Sequence, residues 1–358
     1  MPTDETQEPQ ETQPPLPQAG FAPPRSILHH PLLYALFLAF YIASHFGSWL
    51  PSPTRLTDDD GAAQYTRSFE EMLRDPREVP FASAAAMLAP LLVGSGLLIG
   101  YLILRACNIR AFPRCEFPVV PWSAWHLLRC VVVFLVVHRL VAVGVAWVQH
   151  FKATRPAWAG VHMSLVAVLA ANVIMIFMCL FVAALIAAGK SSPTRLLGLR
   201  EARPLSRAGL GVTGYLMIFP LQFLAAVLML VLGPRVGIPP QPQSVLARAV
   251  GLSPGIFLIL IVSAVVIAPI TEEILLRGFL YGTLRRYMGP LAALVLSAGF
   301  FALLHGYAFG FLSLFIIGFL LGYLYERTGS LVAPIVAHAA NNLYSLLVVY
   351  LSFREGML

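Results

Sequence analysis

The sequence predicts an all-α, polytopic transmembrane helix bundle of about nine helices. Three observations predict it. The 358-residue chain is 58% hydrophobic and only 11% charged, too apolar for one water-soluble core to absorb. Apolar runs long enough to cross ~30 Å of hydrocarbon recur along it. The charged residues collect in the connections between those runs, as lipid on the outside of a bundle requires.

Residues 1–28 are rich in Pro, Gln and Glu and carry Asp4, Glu5, Glu8 and Glu11 where a secretory signal would be basic. They are expected to form a disordered acidic tail, leaving the first apolar run as an anchor. Residues 29–189 hold the N-terminal membrane helices, expected near 31–50, 81–104, 127–148 and 162–188. A polar loop at 51–80 with Asp58, Asp59 and Asp60 interrupts them. Residues 190–353 form a second unit. Its first stretch, 190–209, carries Lys190, Arg195, Arg200, Arg203 and Arg207 and is expected along the membrane surface. Helices follow near 210–233, 255–284, 291–305, 308–325 and 331–353, the second of them long enough to need tilting. The bases in the short even-numbered loops place the N-terminus in the cytoplasm, and the chain is expected in the plasma (inner) membrane.

The net charge of +7 does not imply nucleic acid, because the bases are scattered through loops and form no stripe. Cys107, Cys115, Cys130 and Cys179 show neither a CxxC pair nor a disulfide framework and read as reduced structural thiols. Gly318 and Gly322 make a GxxxG, and Gly94, Gly96 and Gly100 crowd the second apolar run; both groups read as helix-packing sites. Ser297 and Ser313 read as helix–helix hydrogen-bond donors. His138 and Arg139 lie midway along the third run, where a cavity-lining or counterion role is the plain reading. The sharper expectation is that Arg139 faces the same site as the deep acids. Arg129 should snorkel, and His45, His126, His150 and His162 are interfacial.

Of the 17 acidic residues, nearly all sit in the tail, the first loop or at helix ends. Glu272 and Glu273 are the exceptions, deep in an apolar run where an ionised carboxylate costs ~2.5–3.5 kcal/mol. Glu273 and Arg277 are four apart with the acid N-terminal, the favourable order for a helical ion pair. Glu272 points about 100° away and must find contacts on other helices or in a wet cavity. His305, at the end of one run, and His338 and Asn342, one turn apart in another, are the candidates. Counting ~1.5 Å per residue from the loops at 285–290 and 326–330 puts Glu272, His305 and Asn342 at ~17–22 Å depth, so the groups can converge.

Glu272-Glu273-x-x-x-Arg277, Phe301-x-x-x-His305 and His338-x-x-x-Asn342, in that order on successive membrane helices, resemble the three motifs of the CAAX-protease and bacteriocin-processing family. Its relatives include the type II CAAX prenyl endopeptidases, or glutamate intramembrane proteases. The resemblance spans roughly 190–353, and all three motifs match. It implies a four-helix catalytic core in which Glu272 activates water and Glu273 with Arg277 orients it. His305, His338 and Asn342 would then hold the water and stabilise the oxyanion. The implied substrate is a peptide or membrane protein, including lipid-modified ones. Chemistry without a cofactor is favoured, with zinc at Glu272, His305 and His338 as the alternative. An ion- or proton-coupled transporter and a non-catalytic scaffold are the readings of other classes.

Overall fold

A computed structural model describes residues 33–37, 39, 81–107, 117, 120–158, 160–189, 191–199, 203–238 and 254–354. Among them the architecture is helical without strands. The expected tail at 1–28, the loop at 51–80, Lys190, Arg200, Cys115 and His45 lie outside the described residues, and of the first expected helix only 33–37 and 39 are described.

Eight helices follow 33–39 among the described residues: α1 (Phe81–Ala106), α2 (Ala124–Thr154), α3 (Met163–Ala188), α4 (Pro204–Leu232), a composite α5, α6 (Pro290–Leu304), α7 (Phe311–Thr328) and α8 (Val332–Arg354). Six described helices are long and apolar enough to cross a membrane, and α6 and α8 contain the shorter apolar stretches Pro290–Leu304 and Val332–Val348. Helix α7 begins at 311 rather than 308 because Gly306 turns the chain with φ 58°, a left-handed conformation that favours glycine.

Composite α5 departs most from expectation. Instead of one straight tilted helix it alternates α-helix (Pro254–Val262), π-helix (Ser263–Ile267), α-helix (Ala268–Glu273), π-helix (Ile274–Tyr281) and α-helix (Gly282–Tyr287). The first π turn sits before a proline. The Ala268 N–H reaches back five residues to Ser263 O; the next bond in that series would run from position 269 to Ala264 O, but Pro269 has no N–H to give. The Ala264 carbonyl is therefore freed toward the bundle. Such π insertions are uncommon and recur at functional sites.

Helix α4 is the hub, packed against α1, α7 and α8, while α2 pairs with α3 and α6 with α7. Close approaches need glycine. A Cβ on Gly211 would lie 2.4 Å from Ala333 O, and one on Gly94 would lie 2.1 Å from Leu216 O. Gly318 and Gly322 likewise admit Phe301 and Leu294, as expected of a GxxxG. Among the described residues, nothing lies within 4 Å of a Cβ built on Gly96 or Gly100. Ser297 Oγ donates to Leu276 O and Ser313 Oγ to Gln222 O, stitching helices together.

Ahead of α4, the described part of 190–209 makes one helical turn, Pro193–Leu196, and is anchored to the end of the bundle. Leu197 is buried, and the Leu331 N–H donates to Gly198 O. The apolar Leu197 packs in the core with Leu331, while its basic neighbour Arg195 stays exposed.

Candidate active site

The two adjacent glutamates have different surroundings. Glu273 is fully buried, and its Oε1 accepts from Arg277 Nη1 at 2.8 Å, so the i,i+4 pair forms as expected. The same oxygen accepts from His338 Nδ1 at 3.0 Å. Arg277, also fully buried, donates from Nη2 to Gly318 O at 3.0 Å and lies 4.6 Å from the centre of the Phe301 ring. The carboxylate, the carbonyl and the aromatic face offset part of the cost of taking the guanidinium out of water, while Arg277 Nε and Glu273 Oε2 stay buried without a hydrogen bond.

Glu272 is 21% exposed and lines a cavity of about 330 Å³. His305, His338 and Asn342 line the same cavity, so the depth count had the right groups meeting. His338 links the two acids. With Nδ1 held by Glu273, its Nε2 stands 3.9 Å from Glu272 Oε2. His305 caps α6, and its Nδ1 donates to Phe301 O at 2.7 Å, a bond that fixes the proton on Nδ1 and leaves Nε2 for the cavity. Asn342 donates from Nδ2 to Ala264 O at 2.8 Å, the carbonyl freed ahead of Pro269. That bond occupies one of its two amide protons, leaving one for other work.

Several polar groups in and behind the cavity were not singled out from sequence. Gln222 on α4, outside the lining, donates to Asn341 Oδ1, and Asn341 Nδ2 donates to Asn342 Oδ1, a chain ending on the Ala264 carbonyl. From α3, Asn172 accepts from Ser263 Oγ at 2.9 Å. A search for deep charges passes over neutral amides in apolar runs; counting Asn and Gln there would have found them. Helix α3 lies outside the four-helix core that the resemblance implies, yet it forms one wall of the cavity.

Arg139 is a second correction. It is buried in α2 but is not among the residues that line the cavity with Glu272. Charge counting says how deep a residue lies but not which side of its helix it occupies. His138 is exposed and lies against Phe134. Arg129 stacks over Tyr34 at 5.3 Å. His126, His150 and His162 lie at helix ends, as expected. The described cysteines, Cys107, Cys130 and Cys179, are free.

The zinc alternative needs three ligands within reach of one ion. Both imidazoles leave Nε2 available, but among the described residues no three His, Cys, Asp or Glu are placed to share a metal.

Residues 254–344, which contain every motif residue described above, match the family model for type II CAAX prenyl endopeptidase Rce1-like proteins. No curated protein and no solved structure matches the chain. The matched segment is similar to that family; it runs from the start of α5 into α8 and holds both glutamates, Arg277, both histidines and Asn342. With six described helices of membrane-crossing length and apolarity, the chain is an integral membrane protein.

Proposed function

We propose that the chain is a metal-independent intramembrane endopeptidase in which Glu272 is the general base. One observation carries the reading: of two adjacent acids, Glu273 is sealed and paired while Glu272 faces a cavity with His338 Nε2 at 3.9 Å. Two acceptors at that spacing suit the two protons of one water. Glu272 takes a proton from this water, and its oxygen attacks the scissile carbonyl. The remaining Asn342 amide proton, and His305 Nε2 when that ring is protonated, stabilise the oxyanion in a low-dielectric site. Collapse of the intermediate breaks the C–N bond, and Glu272 returns the proton to the leaving amine. Glu273 and Arg277 take no part in the bond changes. They hold the His338 ring with Nε2 toward the water.

The substrate is a peptide or membrane-associated protein, lipid-modified ones included, and the proposed location is the plasma membrane with the N-terminus in the cytoplasm. The test is cleavage of a quenched peptide library by purified protein in nanodiscs, after exhaustive chelation with residual metal assayed. Cleavage by metal-free protein, abolished in Glu272→Ala with expression and unfolding temperature preserved, is expected. Full activity in Glu272→Ala would refute the assignment, and activity that returns only with added zinc would refute the metal-free scheme. Solute flux without cleavage would favour a carrier, and neither would leave a scaffold.

A further inference from the structure

The cavity extends well past the proposed catalytic groups. From Glu272 it follows α5 back to Ile256, with α3 along one side, from Met175 to Leu165, and α8 along the other, from His338 to Leu346. Most of this length is apolar, but one station is not. At the first π turn, carboxamides come from both walls: Asn342 from α8, bound to Ala264 O, and Asn172 from α3, bound to Ser263. The Ser263 hydroxyl holds Asn172 by its oxygen, so the amino end is turned away from that bond. Among the described residues nothing accepts a hydrogen bond from it. Asn172 lies far upstream of the matched segment 254–344.

We propose that Asn172 is a substrate-binding residue that donates a hydrogen bond to a main-chain carbonyl of an extended, apolar peptide lying along α5, several residues from the cleaved bond. The proposal rests on the proteolytic reading above and names the form in which substrate is held. An extended strand presents its carbonyls alternately to its two edges. A trough with an amide donor on the α3 wall and aliphatic side chains around it suits one edge of that display. A main-chain carbonyl is read by Asn172, while Val168, Ile259, Leu260 and Leu346 receive side chains without selecting polar ones. Ser263 precedes Glu272 by nine positions, ~13 Å along the helix axis. An extended peptide covers that in roughly four residues.

The experiment uses the full-length chain in nanodiscs and a quenched peptide series of aliphatic sequence, lengthened one residue at a time on either side of the cleaved bond. KM should drop about three- to tenfold when one side reaches roughly four residues, the worth of one added neutral hydrogen bond. Asn172→Leu should erase that step with kcat unchanged, and Ser263→Ala, which unlatches Asn172, should blunt it. Asn172→Asp keeps the acceptor for Ser263 and loses the amide donors, so it carries the test if the leucine variant fails to fold. Equal KM values for wild type and these variants across the series would overturn the proposal while leaving proteolysis intact. Binding of a labelled peptide to the Glu272→Gln chain, read by anisotropy, separates the two ideas. Asn172-dependent binding without cleavage by wild type would support this site and reject proteolysis, and binding indifferent to Asn172 would reject the site.

Discussion

Replacing Arg277 with Met isolates the energetics of the polar centre. The guanidinium is wholly buried, and its removal strips Glu273 of a 2.8 Å charge-assisted partner, Gly318 O of a donor and Phe301 of a cation at 4.6 Å. Breaking a buried ion pair from one side costs about 3–5 kcal/mol, because the remaining charge is left uncompensated. The aliphatic replacement fills most of the volume, so little of that cost is cavity formation. Adding Glu273→Gln removes the stranded charge while leaving an amide oxygen for His338 Nδ1. The double variant should recover at least about 2 kcal/mol relative to Arg277→Met alone. The double variant is not expected to cleave, since His338 loses the carboxylate that orients it. Unfolding in mixed dodecyl sulfate micelles for the wild type, both single variants and the pair closes the cycle. A cost for Arg277→Met below about 1 kcal/mol, or a double variant as unstable as the sum of the singles, would refute this account.

Two further outcomes follow from backbone detail. Gly211→Ala puts a methyl 2.4 Å from Ala333 O and 3.2 Å from Ala337 N, so α4 and α8 must separate at a cost of about 1–3 kcal/mol. Gly100→Ala, with no described atom within 4 Å of its Cβ, should be neutral or stabilise by up to about 1 kcal/mol; thermal unfolding of both variants checks the contrast, and equal losses would contradict the packing. Pro269→Ala supplies an N–H that competes with Asn342 for Ala264 O. Unfolding temperature should hold while kcat falls roughly three- to tenfold, the scale of one misplaced hydrogen bond. An unchanged kcat would show that the freed carbonyl does not position Asn342.

Much of the site was legible from the chain alone, for identifiable reasons. The Glu273–Arg277 pair is local: helical geometry brings residues four apart together whatever surrounds them. Glu272, His305, His338 and Asn342 were placed by depth, which follows from residue rise and loop position. The two π turns were not legible, because a 3.6-residue period was assumed through a segment where Pro269 interrupts the ladder. Nor was the inward face of α3, where Asn172 sits among Ala, Val and Met with no charge to mark it. Arg139 failed for the same reason in reverse, a conspicuous charge whose azimuth the sequence does not encode.

The sequence by itself determined that this chain lives in lipid, where its helices run, and which polar side chains lie at mid-depth, since hydropathy and helical rise are properties of consecutive residues. Only the tertiary structure decided that His338 bridges the two glutamates, that α3 and α4 contribute amides, and that Arg139 stands apart. Lipid solvates every apolar helix face about equally well, so hydropathy carries little information about which faces meet. That choice falls to close packing at Gly211, Gly94 and Gly318 and to hydrogen bonds between helices, which exist only once the bundle has assembled.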